Sequence, residues 1–289
     1  MTPRVTVVTA VAVLIVALLL ESWTSPQSIL HKLRRLYQIK TIGFSYTYKN
    51  LEGKQGFLVV DFEDSAQLEE WRKIASAAKY KRATAFPGVV AGLSPAIVSS
   101  VTSKVAPLVK YYFGKNISAN KFRGGFIGLS CPYADGRGPT RAASAPHVDG
   151  INPHRIVAVH YLSDRSVWPF GGGTAFFRHK ETGYLDFRPS VCRREMEERP
   201  YTDYAWTCRD NMGHYNPKLE HDPSLKLVGE TDDFGEYEIL DMVEHKPNRI
   251  VLYRNNILHS SFVTEEGATN LSCDPNGKYR RTGIGYHWN

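Results

Sequence analysis

His147 and Asp149 stand two positions apart in the stretch Pro146-His-Val-Asp-Gly150. On an extended backbone, side chains two positions apart leave the same face, so an imidazole and a carboxylate are presented together. That pair suits a borderline divalent metal such as iron, cobalt or zinc. A third ligand should lie on a later strand that returns beside the first. His259 meets this requirement, because it follows the apolar run 249–253 and an Asn255-Asn256 turn that can aim a side chain into a cavity. Two histidines and one carboxylate form a facial set that leaves metal positions open, as iron(II) needs if it must also take a chelating cosubstrate and oxygen. His154, His160, His179, His214, His221, His245 and His287 are also available. A lone histidine is more often a surface or core residue than a ligand; His287, in the final strand, is the replacement if His259 does not serve.

The elements that must position these residues begin near residue 121. Short runs at 126–130, 155–162, 174–178, 236–243, 249–253, 258–263 and 279–288 read as strands, punctuated by Gly, Pro and Asp. Seven strands with little helical periodicity between them indicate a β-sandwich or jelly roll. Residues 184–233 break the rhythm and read as an insertion over one mouth of the barrel. Upstream, 41–48 and 56–62 read as two strands joined by a turn at 50–53. Asp64 opens a helix with Gln67 in the capping-box position and Leu68, Trp71 and Ile74 as its buried stripe. Ser94 and Pro95 start a second helix carrying Leu108, Tyr111 and Tyr112, and Gly114 ends it. The domain therefore spans 41–289, with 41–120 a flanking α/β support and 121–289 the β core.

Composition bounds the rest. Hydrophobic residues make up 42% of the 289, enough for a sizeable core, and the chain carries 36 Lys and Arg against 29 Asp and Glu. The basic residues are scattered and no nucleic-acid motif accompanies them, so no nucleic-acid partner is expected. The four cysteines, Cys131, Cys192, Cys208 and Cys273, show no Cys-x-x-Cys spacing, which argues against a structural zinc cluster. They permit one or two disulfides in an oxidising compartment, or four buried thiols. Residues 5–20 form an apolar run without a charge. It reads as a membrane anchor within a segment 1–24, followed by a basic amphipathic stalk over 25–40; a cleaved signal peptide is the competing reading. The sequons Asn116-Ile-Ser118 and Asn270-Leu-Ser272 favour a lumenal domain in the secretory pathway.

His147-Val-Asp149, the run 155–164, Gly171-Gly-Gly-Thr-Ala-Phe-Phe177, the run 249–259 and Arg280-Arg-Thr282 together resemble the iron(II)- and 2-oxoglutarate-dependent dioxygenases, in particular their prolyl-hydroxylase-like branch. The resemblance covers residues 121–289. It implies a double-stranded β-helix, the jelly roll also found in cupins, with flanking helices. It also implies Fe(II) held by His147, Asp149 and His259, with 2-oxoglutarate and O2 as cosubstrates and ascorbate as an accessory reductant. The expected reaction is hydroxylation of a protein, peptide or small molecule, with decarboxylation of 2-oxoglutarate to succinate. In that family a basic residue on the last core strand pairs with the distal carboxylate of 2-oxoglutarate, a task suited to the planar fork of an arginine. Arg280 with Thr282 matches the family's Arg-x-Ser/Thr pattern and is preferred here. Arg281, which strand alternation sends to the opposite face, is the alternative. The 21 positions from His259 to Arg280 form a longer gap than is usual in the family. Tyr161 can donate its hydroxyl to the cosubstrate or serve as a core tyrosine.

Two other classes stay open at this point. A cupin-like metalloenzyme that is not an oxygenase would need no arginine behind the metal. A jelly-roll binding module without turnover would use Trp168, Phe170, Tyr204 or Trp206 as an aromatic platform.

Overall fold

The computed structural model describes residues 43–51, 56–82, 88–130, 146–150, 152–180, 182–187, 189–198 and 237–289. The expected anchor, the stalk, His214, His221, Tyr204 and Trp206 lie outside them. Among the described residues, no helix is long and apolar enough to cross a membrane. The fold that follows is that of the unit Tyr46–Asn289, with Phe44 and Ser45 as the first residues of its leading strand.

The strands in chain order are β1 (Phe44–Asn50), β2 (Gly56–Phe62), β3 (Lys81–Arg82), β4 (Gly88–Gly92), β5 (Phe122–Ser130), β6 (Ile156–Tyr161), β7 (Gly173–His179), β8 (Tyr237–Glu244), β9 (Arg249–Arg254), β10 (His259–Phe262) and β11 (Arg281–Trp288). The helices are α1 (Ser65–Ala77), α2 (Pro95–Phe113), α3 (Pro189–Glu198) and α4 (Glu265–Asn270). All seven expected core strands form. The larger sheet runs β1-β2-β9-β6-β11-β5-β4-β3 and the smaller one β10-β7-β8. An isolated antiparallel bridge from His147 to His259 adds a fourth position to the smaller sheet beyond β10. Two antiparallel sheets face each other, and the core between them makes this a jelly roll, mainly β with few helices.

The sheets meet on aromatic side chains. Phe57 of β2 stacks on Phe176 of β7 with ring centroids 4.2 Å apart, and Tyr253 of β9 meets Phe176 edge-on at 5.4 Å. Val157, Tyr161, Val243, Val251 and Ile257 complete this cluster. The larger sheet is also covered on its other side. There Trp71 of α1 packs edge-on against His160, and Trp288 donates through Nε1 to Thr102 Oγ1 of α2 at 3.1 Å. A sheet buried on both faces explains why β6 and β9 read as continuous apolar runs rather than alternating ones.

Both flanking helices start where the sequence indicates. Asp64 accepts from the Gln67 backbone N–H at 2.9 Å, and Ser94 accepts from Ala96 N–H at 3.3 Å ahead of Pro95. Gly114 ends α2 in the left-handed conformation at φ 66°. The capping box is only half formed. The Gln67 side chain donates to Ser100 Oγ and accepts from Lys104 Nζ, so it ties α1 to α2 instead of reaching back to its own N-cap. Leu68 and Trp71 are buried as expected, but Ala75 rather than Ile74 completes the stripe, and Tyr111 is exposed. Cys192 and Cys273 are both disulfide-bonded, so the buried-thiol reading fails for these two.

Candidate metal centre

β10 and the 146–150 segment carry the candidate donors. The backbones of His147 and His259 exchange two hydrogen bonds, each 2.9 Å long. Gly150 N–H donates to Asn255 O at 3.1 Å, and a Cβ built on Gly150 would meet Asn255 Nδ2 at 2.9 Å. The Pro146–Gly150 stretch is thus clamped against the Asn255-Asn256 turn. Asn256 is itself fully buried and donates to Asp186 Oδ2 and to Phe187 O, both at 3.2 Å. This packing fixes the turn from which His259 departs.

The ligand atoms of His147, Asp149 and His259 all lie within 4.8 Å of one another. His259 Nδ1 donates to the Ile257 carbonyl at 2.9 Å, which leaves Nε2 facing Asp149 Oδ2 at 3.4 Å as the atom that can take a metal once it gives up its proton. Neighbouring ligand atoms on an octahedral ion with bonds of about 2.1 Å stand about 3 Å apart, so this donor set fits a divalent cation with little adjustment. Asp149 keeps 28% of its side chain exposed, whereas His259 keeps 6%, which makes the carboxylate the side open to entry. Burial pushes the Asp149 carboxyl up, but the charge and hydrogen bond of His259, aided by His147 and His287, hold it well below the usual carboxylate range. For His259, burial lowers the pKa and the Asp149 charge outweighs it, leaving the imidazole raised. Tyr253 adds a contact that sequence reasoning missed. Its ring lies 4.6 Å from that of His259 and its hydroxyl donates to Asp149 Oδ2 at 3.5 Å.

The two arginines part company here. Along β11, Thr282, Ile284, Tyr286 and Trp288 are buried on the helix-facing side. Arg280 has the same parity. It lines an outer cleft with Arg72, Asp164 and Thr282, and its Nη1 donates to Gly277 O at 3.0 Å. Arg281 has the opposite parity and points between the sheets. Its Nη1 donates to Ser261 Oγ at 2.7 Å and its Nη2 to Gly173 O at 3.1 Å. Ser261 leaves the same face of β10 as His259. The placement therefore runs against the preference for Arg280 with Thr282: both sit outside the barrel, and Arg281 sits inside.

Arg281 has no carboxylate partner among the described residues, and its buried Nε finds no acceptor. Burial pulls its pKa down. Around it stand Ser130, Tyr161 and Thr174, the last two joined hydroxyl to hydroxyl at 2.6 Å. His245 stacks on Tyr161 at 4.7 Å and donates through Nε2 to Ser163 O at 2.9 Å; burial and the nearby Arg281 push its pKa down to about 4. Neither Ser261 nor His245 was singled out from sequence, although Ser261 could have been found from its position two residues after His259.

The other candidates fall away structurally. His160 faces the helices, bonded through Nε2 to Asn248 Oδ1 at 3.1 Å. His287 shares the inward parity of Arg281 but is not one of the three clustered donors. Trp168 is 1% exposed and packed against Val263 and Leu271, so it offers no aromatic platform.

What the fold and the site define together is a jelly roll bearing a two-histidine, one-carboxylate donor set. The chain belongs to a family described as a family of unknown function, DUF6445, whose model matches residues 44–205. That match includes His147 and Asp149 and stops short of His259 and Arg281. A search of curated proteins gives no match. Similar solved structures include the non-heme alpha-ketoglutarate-dependent epimerase SnoN from nogalamycin biosynthesis, at 13% identity over 90% of this chain and 83% of that one, with a TM-score of 0.39. HygX from Streptomyces hygroscopicus, solved with nickel, 2-oxoglutarate and hygromycin B, is 12% identical over 89% and 86%, with a TM-score of 0.42. A Pseudomonas putida prolyl-4-hydroxylase is 10% identical over 88% and 96%, with a TM-score of 0.37. All three are distant likenesses.

Proposed function

We propose that this protein is an iron(II)- and 2-oxoglutarate-dependent oxygenase of the prolyl-hydroxylase-like kind that hydroxylates a protein, peptide or small molecule. The observation that carries the reading is the pairing of the clustered donors with a half-buried Arg281 between the same two sheets, whose buried Nε has no acceptor and which has no carboxylate partner among the described residues. A guanidinium held between two sheets with a buried N–H unpaired is costly and calls for an anion. Ser261, which holds Arg281, stands two residues from His259, and side chains at that spacing are about 7 Å apart along a strand. A short dicarboxylate held at one end by a metal on these donors would have the length to reach the arginine with the other.

In this reading His147, Asp149 and His259 hold iron(II), which supplies oxygen activation coupled to decarboxylation of 2-oxoglutarate. Ile257 O keeps His259 in the tautomer that offers Nε2. Arg281, with Ser261 and the Tyr161–Thr174 hydroxyl pair beside it, receives the distal carboxylate and orients the cosubstrate. The aromatic cluster of Phe57, Phe176 and Tyr253 excludes water from behind the metal. A metalloenzyme of another kind leaves the unpaired, half-buried Arg281 unexplained. We also place the domain in the lumen of the secretory pathway behind an N-terminal membrane helix. The apolar run 5–20 and the disulfide-bonded Cys192 and Cys273 support that placement.

The test is calorimetric titration of 2-oxoglutarate into the metal-loaded protein. Binding at one site per chain that disappears when the metal is chelated is expected. Failure to bind, or binding indifferent to the metal, defeats the reading.

A further inference from the structure

The two glycosylation sequons are alike in sequence and differ in structure. Asn116 is exposed, in the loop between Gly114, the left-handed end of α2, and the 3-10 turn Ala119–Lys121. Its backbone carbonyl accepts from Lys121 Nζ at 3.0 Å, and no hydrogen bond involves its side-chain amide among the described residues. Ser118 precedes the turn in extended conformation, at φ −152° and ψ 165°, and its hydroxyl makes no cap bond. Ile117 between them is 6% exposed and pins the loop to the core. The amide and the hydroxyl are therefore both uncommitted, on a segment that need not move to carry a bulky polar group.

Asn270 is committed. It is the last residue of α4 and half-buried, and its Nδ2 donates to Glu266 O at 2.8 Å and Thr269 Oγ1 at 3.4 Å. Its sequon partner Ser272 accepts from Asp274 N–H at 3.2 Å and donates its own N–H to Tyr279 O at 2.9 Å. A Cβ built on Gly277 would lie 2.3 Å from Ser272 Oγ, so the hydroxyl is packed against the Asp274–Gly277 turn. Leu271 between them belongs to the buried cluster with Trp168 and Val263. A glycan on Asn270 must pull its amide out of these bonds and crowd this loop.

We infer that Asn116 is a site of N-linked glycosylation and that Asn270 stays unmodified. The disulfide-bonded Cys192 and Cys273 point independently to the compartment in which that modification occurs. The inference rests on the secretory placement and not on the oxygenase reading.

The experiment expresses the full chain with its own N-terminus in a eukaryotic host. Peptide mass spectrometry follows N-glycanase treatment, which converts a glycosylated Asn to Asp, and thiol alkylation is measured on the same sample. The expected result is conversion at Asn116 alone, with Cys192 and Cys273 protected from alkylation. Asn116→Gln should lose the glycan and Asn270→Gln should keep it. A bare Asn116 in a disulfide-bonded chain, or a glycan on Asn270, overturns the assignment alone. A bare Asn116 with free thiols overturns the secretory placement as well. Neither outcome alters 2-oxoglutarate binding, so failure here is distinguishable from failure of the oxygenase reading.

Discussion

His147 and His259 exchange both of their backbone hydrogen bonds, each at 2.9 Å, although they are far apart in the chain. Two ligands of one candidate metal centre are thus locked to each other through the backbone before any metal is present, and their side chains converge with Asp149. Substitution of either imidazole should leave that bridge in place, because it uses no side-chain atom. His147→Ala and His259→Ala are therefore expected to keep the native fold in metal-free buffer, His259→Ala with a lower thermal midpoint for the lost contact with Asp149, and to lose stoichiometric iron(II) binding. Metal analysis after gel filtration, alongside a melt, reads both. Retained stoichiometric metal in either variant rules it out as a ligand.

Arg281 and Arg280 should behave oppositely. Losing charged hydrogen bonds worth about 1.5–3 kcal/mol, Arg281→Ala should raise the 2-oxoglutarate requirement roughly 10- to 100-fold while leaving iron bound. Arg280→Ala should change it little. Because Arg281 has no carboxylate partner among the described residues, Arg281→Met should also melt at or above the wild-type temperature. A large effect from Arg280 with none from Arg281 would reverse the assignment.

Metal uptake should release protons in a pH-dependent way. The raised pKa of His259 stabilises the metal-free fold fully below the ordinary histidine value, about 6.5, and that contribution is lost as pH rises through the folded pKa. The lowered pKa of Asp149 contributes above the ordinary carboxylate value, about 4, and is lost as pH falls through its folded pKa. The ion pair is therefore complete between those two values, where His259 Nε2 must shed its proton to take a metal. Calorimetry in buffers of different ionisation enthalpy should show more proton release at about pH 6 than at about pH 8.5. Equal release at both would show that His259 is not the titrating ligand.

The three consecutive glycines test the framework. Gly171 has φ 70° with nothing within 4 Å of a built Cβ, so Gly171→Ala should cost only the left-handed strain, about 1–2 kcal/mol. At Gly173 a Cβ would lie 1.8 Å from the Val243 carbonyl oxygen, inside the β7–β8 pairing. Gly173→Ala should cost more than about 4 kcal/mol and displace the carbonyl that holds Arg281. Denaturant unfolding of the two variants decides; equal midpoints would mean that β7 and β8 are not packed as described.

The strands were legible because alternation, β-branched residues and turn punctuation agreed along 121–289. β3 and β4 were not: β3 is only two residues long, and β4 is short and bounded by Gly88 and Gly92. The candidate donors that cluster could be named because chemistry restricts which side chains bind a metal. The arginine could not be settled, and the reason lies in β11. Its apolar positions, Ile284, Tyr286 and Trp288, face the helices, while its inward positions include Gly283 and Gly285. The hydrophobic pattern thus marks the outer face, with which Arg280 and Thr282 share parity, and is silent about the interior. Tyr253 and His245 were missed for a related cause: they read as core residues, and only the pairing of the sheets brings one to Asp149 and the other to Tyr161.

The central claim is tested most directly by succinate formation from 2-oxoglutarate in the presence of iron(II), ascorbate and oxygen. Wild-type protein should form succinate, slowly without substrate and faster with it, and His147→Ala should form none above the protein-free rate. Wild-type protein that binds iron yet forms no succinate above that rate, with any substrate pool, would contradict the oxygenase reading.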